Sequence, residues 1–122
     1  MAKYLNIFKA LSDKTRLRIV HLLSGAKKEL CVCEIMNSLS VAQYNVSRHI
    51  KELKIVGLLK ERKKVRFVFY SLNKINDKFY KLILKIVDSI SEEFFMQDNK
   101  RLNKIISFRK NGKPNIKGIK LW

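Results

Sequence analysis

The stretch Glu34–Leu59, EIMNSLSVAQYNVSRHIKELKIVGLL, constrains the fold of this chain more than any other. It predicts two short helices joined by a tight turn. In the second helix Val46, Ile50 and Leu53 recur at spacings of four and three, so they share one face. Gly57 lies where that helix is expected to end. The other side and its flanks carry polar and charged residues: Gln43, Tyr44, Asn45, Ser47, Arg48, His49 and Lys51.

A short helix, a turn and a second helix with such a polar face is the layout of a DNA-reading helix-turn-helix. The same pattern also fits an ordinary helical hairpin with a solvated face. The charge favours DNA, because 27 Lys and Arg against 10 Asp and Glu give a formal net charge of +17. Such a charge suits a nucleic acid or, less specifically, an acidic membrane surface. An AT-rich coding bias would also enrich Lys, Ile and Asn.

The length and apolar content predict one globular domain with a modest core, since 47% of the 122 residues are hydrophobic. No apolar run approaches the length that crosses a membrane. The N-terminal MAKYLNIFKALSDK lacks the features of a signal peptide, so we expect a cytoplasmic protein. Two cysteines that are two residues apart, Cys31 and Cys33, do not form a disulfide framework.

Two helices are predicted before the helix-turn-helix. Residues 3–11 place Leu5 and Phe8 at a spacing of three, which favours one side of a helix. Residues 15–23 supply a second apolar helix that is expected to end at Gly25.

Three motifs resemble the ArsR/SmtB family of winged-helix repressors. The run FKALSDKTRLRIVHLL, residues 8–23, is similar to the family's F-K-A-L-S-D-x-T-R-L-x-I-L, with Lys14 where proline is common. The stretch ELCVCE resembles the family's metalloid-sensing segment, and QYNVSRH resembles its recognition helix, Q-S-x-V-S-R-H. The resemblance covers roughly residues 5–96. It implies a mainly α winged helix-turn-helix with a β-hairpin wing, which binds double-stranded operator DNA as a homodimer.

The resemblance implies that Cys31 and Cys33 bind a thiophilic inducer, As(III) or Sb(III), with no cofactor required. On an ideal helix the two lie about 200° apart, so sharing one ion needs local distortion. We expect the helix dipole and Lys27 and Lys28 to lower a thiol pKa. Alternatively, both cysteines are small buried apolar residues. Arsenic-responsive members often have a third cysteine where Met36 stands, so solvent or a small thiol would supply a third ligand.

Carried over position by position, Gln43, Ser47, Arg48 and His49 should face the major groove. Arg48 suits guanine and Gln43 suits adenine, whereas Ser47 could reach a base or a phosphate. His49 could instead lie beside the wing and orient a neighbour. Ala42 replaces the usual capping Ser or Thr, which loses a hydrogen bond worth about 1 kcal/mol.

Residues 58–72, LLKERKKVRFVFYSL, predict two strands around a basic turn. They resemble the family's wing, R-x-G-R-x-V-Y-Y-x-L, but Val65 replaces the turn glycine, so the turn must differ or lengthen. Four basic residues are expected near the tip, aimed at phosphates or a minor groove: Arg62, Lys63, Lys64 and Arg66.

Residues 76–98 predict a single helix with an apolar stripe. The small fold could not bury this stripe and the N-terminal one together, and the family pairs its first and last helices across a two-fold axis. Packing within one subunit is the alternative. The expected interface residues are Leu5, Phe8, Phe79, Ile83, Ile86, Val87, Ile90 and Phe94. Zinc-responsive members place histidines on this last helix, whereas the two histidines here are His21 and His49.

The predicted organisation is a winged-helix and dimerisation domain, residues 1–98, followed by a partly disordered basic extension, residues 99–122. The extension has eight basic residues and no acidic one. It could be a DNA-backbone arm, a partner-binding segment or a solvated end. The predicted function is a metalloid-responsive repressor. The alternatives are a thiol redox-sensing repressor and a non-sensing architectural DNA binder. The sequence shows no catalytic motif, so we do not expect an enzyme.

Overall fold

In the computed structural model, which describes residues 1–115, the chain folds into six α-helices and a small antiparallel sheet. This confirms the mainly α winged helix-turn-helix. The helices are α1 (Ala2–Leu11), α2 (Lys14–Ala26), α3 (Val32–Leu39), α4 (Gln43–Ile55), α5 (Lys78–Asp88) and α6 (Met96–Ser107). The strands are β1 (Leu30–Cys31), β2 (Leu59–Lys63) and β3 (Val68–Leu72).

Helix α2 is longer than its sequence pattern indicates. It begins after Asp13, whose carboxylate accepts a hydrogen bond from the Arg16 N–H at 3.0 Å. The predicted stop at Gly25 is wrong, because the helix continues to Ala26 and ends at Lys27, which has a φ of 54°.

The sheet has the order β1-β3-β2, with every pair antiparallel. Strand β1 was not predicted, and it pairs Cys31 with Phe69 of the wing. The wing turn is tight, since the Lys64 N–H donates to the Phe67 carbonyl at 2.8 Å. Val65 and Arg66 make this turn without a positive φ. The loss of the family's glycine has therefore not lengthened the connection.

The end of α4 follows the prediction for Gly57, which has a φ of +82°. Its N–H donates to the Lys54 carbonyl at 3.0 Å, and the Leu58 N–H donates to the Leu53 carbonyl at 3.0 Å. These two bonds form a Schellman motif, which terminates a helix through a left-handed residue.

The single helix predicted over residues 76–98 is wrong. Helix α5 ends at Asp88, a short 3-10 turn covers Glu92–Phe94, and α6 begins at Met96. Ser89 contributes to the break, since its hydroxyl donates to the Ile86 carbonyl at 2.6 Å and competes with the helical pattern. The domain boundary predicted after residue 98 consequently falls inside α6.

Helix α6 packs across α3. Asp98 is 4% exposed and pairs with Arg18 of α2 at 2.8 Å. Arg101 donates to the Ser38 carbonyl of α3 at 2.6 Å. Residues 99–107 of the predicted extension therefore belong to the folded unit, whereas residues 116–122 lie outside the described part of the chain. Within residues 1–115 no helix is long and apolar enough to cross a membrane.

Candidate nucleic-acid interface and thiol site

The rotation of α4 is set by its apolar face. Val46, Ile50 and Leu53 are at most 2% exposed and pack in the core. The opposite face is consequently presented to solvent, with Tyr44 78% exposed. The exposed predicted residues on α4 are Gln43, Tyr44, Asn45, Ser47, Arg48 and Lys51. As its sequence indicates, Ala42 gives the helix no side-chain cap.

His49 does not belong to this exposed face. The prediction that it faces the major groove is wrong, because its side chain is 9% exposed and turns toward the start of α2. Its Nδ1 lies 3.1 Å from the Arg16 guanidinium and 3.9 Å from the Asp13 carboxylate. Burial lowers the pKa of His49, which the charge of Asp13 partly opposes. The alternative in which His49 orients a neighbour fits these contacts, but that neighbour lies at the start of α2 and not in the wing.

The wing tip carries the exposed cations Lys63, Lys64 and Arg66. Arg62 does not extend with them. Its guanidinium pairs with Glu29 and lies 5.4 Å from the centre of the Phe69 ring. The DNA contact predicted for Arg62 stays a prediction, and the structure adds that this exposed side chain pairs with Glu29.

The two cysteines occupy different positions at the start of α3. Cys31 is the N-cap residue and is 3% exposed, whereas Cys33 lies in the first turn and is partly exposed. The Glu34 carboxylate accepts a hydrogen bond from the Cys31 N–H at 3.2 Å. The Asn37 amide lies 3.8 Å from the Cys33 sulfur. Because Cys31 precedes the helix, the separation of about 200° expected for two positions on an ideal helix does not apply to the two thiols.

The prediction that the thiol pKa values are lowered is wrong. Burial raises the pKa of Cys31 to about 12, and the nearby Glu34 carboxylate adds to the rise. Burial and Glu34 also raise the pKa of Cys33 above its ordinary value. Desolvation of the thiolate outweighs the helix dipole here. Both cysteines are consequently protonated thiols at neutral pH.

A buried ion pair lies beside these thiols. The Glu34 side chain is 0% exposed, and Arg109 donates to its two carboxylate oxygens at 2.7 and 2.8 Å. Arg109 also donates to the Glu29 carbonyl at 2.9 Å. Sequence reasoning missed this pair, because the partners are 75 residues apart and Arg109 stands in a run of basic residues.

The thiol site offers few further ligands. Met36 is 5% exposed and supplies a buried thioether at the position of the family's third cysteine. Within residues 1–115 no group of three or more His, Cys, Asp or Glu side chains is arranged to hold a metal ion. Cys31 and Cys33 are the two free thiols of this site.

The residues of the predicted dimer interface separate into three groups by exposure. Ile83 and Val87 are 4% and 2% exposed and pack in the core of the subunit, so their assignment to the interface is wrong. Phe79 and Ile90 are partly buried, and Phe79 packs edge-to-face against Tyr4 at 4.7 Å. The apolar residues that remain exposed are Leu5, Phe8, Ile86 and Phe94, at 50%, 51%, 58% and 70%.

Helix α4 has one buried face and one exposed polar face, a short helix precedes it, and a basic hairpin follows it. This arrangement defines a winged helix-turn-helix DNA-binding regulator. The profile of the family described as "Bacterial regulatory protein, arsR family" matches residues 13–61. The chain belongs to the ArsR family, whose members are DNA-binding regulators of transcription and not enzymes.

Two curated relatives are named after resistance to arsenic or cadmium. The arsenic resistance transcriptional regulator ArsR1 of Pseudomonas putida is 36% identical over 96 residues, which are 79% of this chain and 74% of that protein. A homologue of the cadmium resistance regulatory protein CadC from Staphylococcus aureus is 43% identical over 67 residues. That match covers 55% of this chain and 54% of the relative.

The fold is similar to that of a solved domain, the homodimeric winged helix-turn-helix DNA-binding domain Mb0332 from Mycobacterium bovis. The TM-score is 0.61 with 22% identity, over 75% of this chain and 84% of that one. At this identity the comparison bears on the fold alone.

Proposed function

We propose that this protein is an arsenic-responsive transcriptional repressor that releases its operator when As(III) binds Cys31 and Cys33. The observation that carries the proposal is the position of the two thiols at the N-terminus of α3, the helix that precedes and packs against α4. A ligand that draws these thiols together acts on a neighbour of the reading helix. If the bound ion favours the conformer with weak DNA affinity, then DNA weakens ion binding by the same factor.

The operator would be read by α4 and held by the wing. Arg48 and Gln43 have the side-chain geometry for guanine and adenine, and their exposure leaves them free to reach base edges. The other polar residues of this face, Tyr44, Asn45, Ser47 and Lys51, would support them. Lys63, Lys64 and Arg66 of the wing would contact phosphates, which fixes the position of the protein without reading sequence.

Replacing Arg48 with Ala should weaken cognate operator binding by about 1–3 kcal/mol and relax selectivity at one base position. Lys64→Ala is the matched comparison from the wing. It should weaken cognate and random DNA alike and flatten the dependence of affinity on salt. Fluorescence anisotropy at several salt concentrations measures both effects. Equal, unchanged binding of Arg48→Ala to cognate and random DNA would show that the reading helix is misassigned.

The repressor would act as a homodimer through α1 and α5. Leu5 and Phe8 on α1 and Ile86 on α5 leave large apolar surfaces exposed in the single chain. Burying such surfaces against a second copy stabilises a dimer through the hydrophobic effect. Two copies would also present two reading helices to a palindromic operator.

The protonated thiols favour arsenous acid over a divalent cation. A divalent ion must displace two thiol protons into water, which is unfavourable when the Cys31 pKa is about 12. As(OH)3 instead condenses with two thiols: two As–O bonds and two S–H bonds break, two As–S bonds form, and two waters leave. No net proton is released. Antimony(III) shares this chemistry, whereas oxidants need a thiolate, which disfavours the redox-sensing alternative.

Arsenite and Cd²⁺ binding should differ in their dependence on pH. Between pH 6 and 8 the arsenite concentration for half-maximal operator release should stay nearly constant. The affinity for Cd²⁺ should instead rise with pH, by up to about 100-fold per unit, since two protons leave as the ion binds. Titrations of labelled operator complexes at three pH values measure the difference.

The cysteine variants are the controls for that test. Cys31→Ser and Cys33→Ser should each abolish arsenite release while operator affinity stays unchanged. Arsenite release that persists in both variants would contradict the assigned ligands. If wild-type protein were released by neither ion, the non-sensing architectural DNA binder would be favoured.

A further inference from the structure

A cavity of about 490 Å³ lies between the wing and the segment that follows α6. Phe67 and Phe69 of the wing form its apolar wall. Five cationic side chains and the carboxylate of Glu29 surround it, the cations being Arg62, Lys64, Arg66, Arg109 and Lys113. We name this cavity the wing pocket. Its volume is in the range of small-molecule sites.

The outer wall of the wing pocket is held in place. Lys110 and Lys113 form a backbone bridge with N–H···O distances of 3.0 and 2.9 Å. Asn111 and Gly112 complete this turn with φ values of 54° and 73°. Arg109, at the base of the turn, is fixed by its bonds to Glu34 and to the Glu29 carbonyl. The cavity is therefore preformed.

The charges in the wing pocket leave a cationic surplus. Arg62 is neutralised by Glu29, and Arg109 is neutralised by Glu34. Lys64, Arg66 and Lys113 make no ion pair among residues 1–115. Three unpaired cations around one cavity favour an anionic ligand, and carboxylates are suitable partners for Lys and Arg.

The wing pocket adjoins the thiol site. Phe69, which lines the pocket, is the direct strand partner of Cys31, so their side chains lie on the same face of the sheet. Arg109, which also lines it, binds the Glu34 carboxylate that accepts from the Cys31 N–H. A ligand in the pocket would thus lie beside Cys31.

We propose that the wing pocket binds a low-molecular-weight thiol that carries carboxylates, and that this thiol supplies the third sulfur to the As(III) held by Cys31 and Cys33. The proposal rests on the arsenic-responsive function above. It follows from two protein sulfur donors, a buried Met36 in place of a third cysteine, and a cationic cavity beside the thiols.

The chemistry balances without an oxidant. Arsenous acid, As(OH)3, meets the two protein thiols and the thiol of the small molecule. Three As–O bonds and three S–H bonds break, and three As–S bonds form. Each departing hydroxide takes one thiol proton and leaves as water, so arsenic stays trivalent. The carboxylates of the small thiol remain free to bind Lys113, and they would replace operator phosphates at Lys64 and Arg66 as the DNA leaves.

The test compares two small thiols at equal thiol concentration: mercaptosuccinate, which has two carboxylates, and neutral 2-mercaptoethanol. Arsenite is titrated into labelled operator complexes of the full chain at constant ionic strength. Mercaptosuccinate should lower the half-maximal arsenite concentration about tenfold relative to 2-mercaptoethanol, the scale of one or two charge-assisted contacts. Succinate, which lacks a thiol, should have no effect beyond that of salt.

Lys113→Gln should remove most of this preference while leaving release with 2-mercaptoethanol unchanged. Lys110→Gln is the matched control, because Lys110 is exposed and outside the pocket lining. Ultraviolet absorbance of the DNA-free protein provides a second readout, since the arsenic–sulfur band should strengthen with mercaptosuccinate in the wild type and less in Lys113→Gln.

Equal arsenite concentrations for the two thiols, or succinate acting as strongly as mercaptosuccinate, would overturn the proposed pocket ligand while leaving arsenic sensing intact. An equal loss of preference in Lys110→Gln would show a general charge effect and would also overturn it. Absence of arsenite release with every thiol would instead overturn the proposed function itself.

Discussion

Replacing Arg109 with Met is expected to lower the free energy of unfolding by about 3–5 kcal/mol, because it leaves the Glu34 carboxylate buried without its partner. Glu34 is 0% exposed, and Arg109 donates to its two oxygens. Met preserves much of the apolar stem of Arg109, so the loss reports the charge and its hydrogen bonds. Urea unfolding followed by circular dichroism measures the change.

Lys110→Met is the matched control for Arg109→Met, since it removes an exposed cation one residue away and should change stability by less than about 0.5 kcal/mol. The double variant Glu34→Met with Arg109→Met should recover much of the loss, because no unpaired charge stays buried. A stability of Arg109→Met equal to that of Lys110→Met would contradict the buried pair.

The same ion pair corrects an expectation about the C-terminal segment. Considered as a basic extension, residues 109–122 should be removable without loss of folding. Their removal would delete Arg109 and leave the Glu34 carboxylate of α3 buried without its partner. The free energy of unfolding should therefore fall as it does in Arg109→Met. A truncation meant to test DNA-backbone contacts should therefore begin after residue 115, where the described chain ends.

Substitution of Ile83 and Ile86 by Asp should separate folding from dimerisation. Ile83 is 4% exposed in the subunit core, so Ile83→Asp buries a charge and is expected to unfold the chain. Ile86 is 58% exposed on the same helix, one turn later. Ile86→Asp should leave the subunit folded but abolish the proposed dimer, and operator binding should weaken by at least about tenfold through the loss of one half-site.

Circular dichroism and sedimentation velocity of the wild type and both variants distinguish the two effects. A folded Ile83→Asp chain would contradict the packing of α5 in the core. A wild-type monomer at micromolar concentration, or an Ile86→Asp dimer as stable as the wild type, would contradict the proposed interface.

The helix-turn-helix was predictable because its information is local. The spacing of Val46, Ile50 and Leu53 fixes which side of α4 is buried, and Gly57 fixes where the helix ends. His49 is the exception, because it is polar and yet buried. A polar side chain at the edge of the apolar face can be buried when distant groups supply its hydrogen bonds. Arg16 and Asp13 supply those contacts from α2, and the local sequence of α4 carries no sign of them.

The position of the thiol site could be predicted from the sequence, but the direction of the thiol pKa shifts could not. The motif placed Cys31 and Cys33 at the start of α3, as observed. Their raised pKa values depend on burial in the folded chain, which the motif does not report. Strand β1, which contains Cys31, is too short to give a sequence signal. The Glu34–Arg109 pair is equally invisible, because an ion pair between distant residues has no periodicity.

Strand β1 makes the thiol site mechanically continuous with the wing. Leu30 and Cys31 lie opposite Tyr70 and Phe69 of β3 in the antiparallel register, and β3 in turn pairs along its whole length with β2. A displacement of Cys31 must either carry β3 with it or rupture this pairing. The thiol site and the wing hairpin therefore form one unit of local opening, and the backbone amides that β1 and β3 bond to each other should exchange with a common opening free energy.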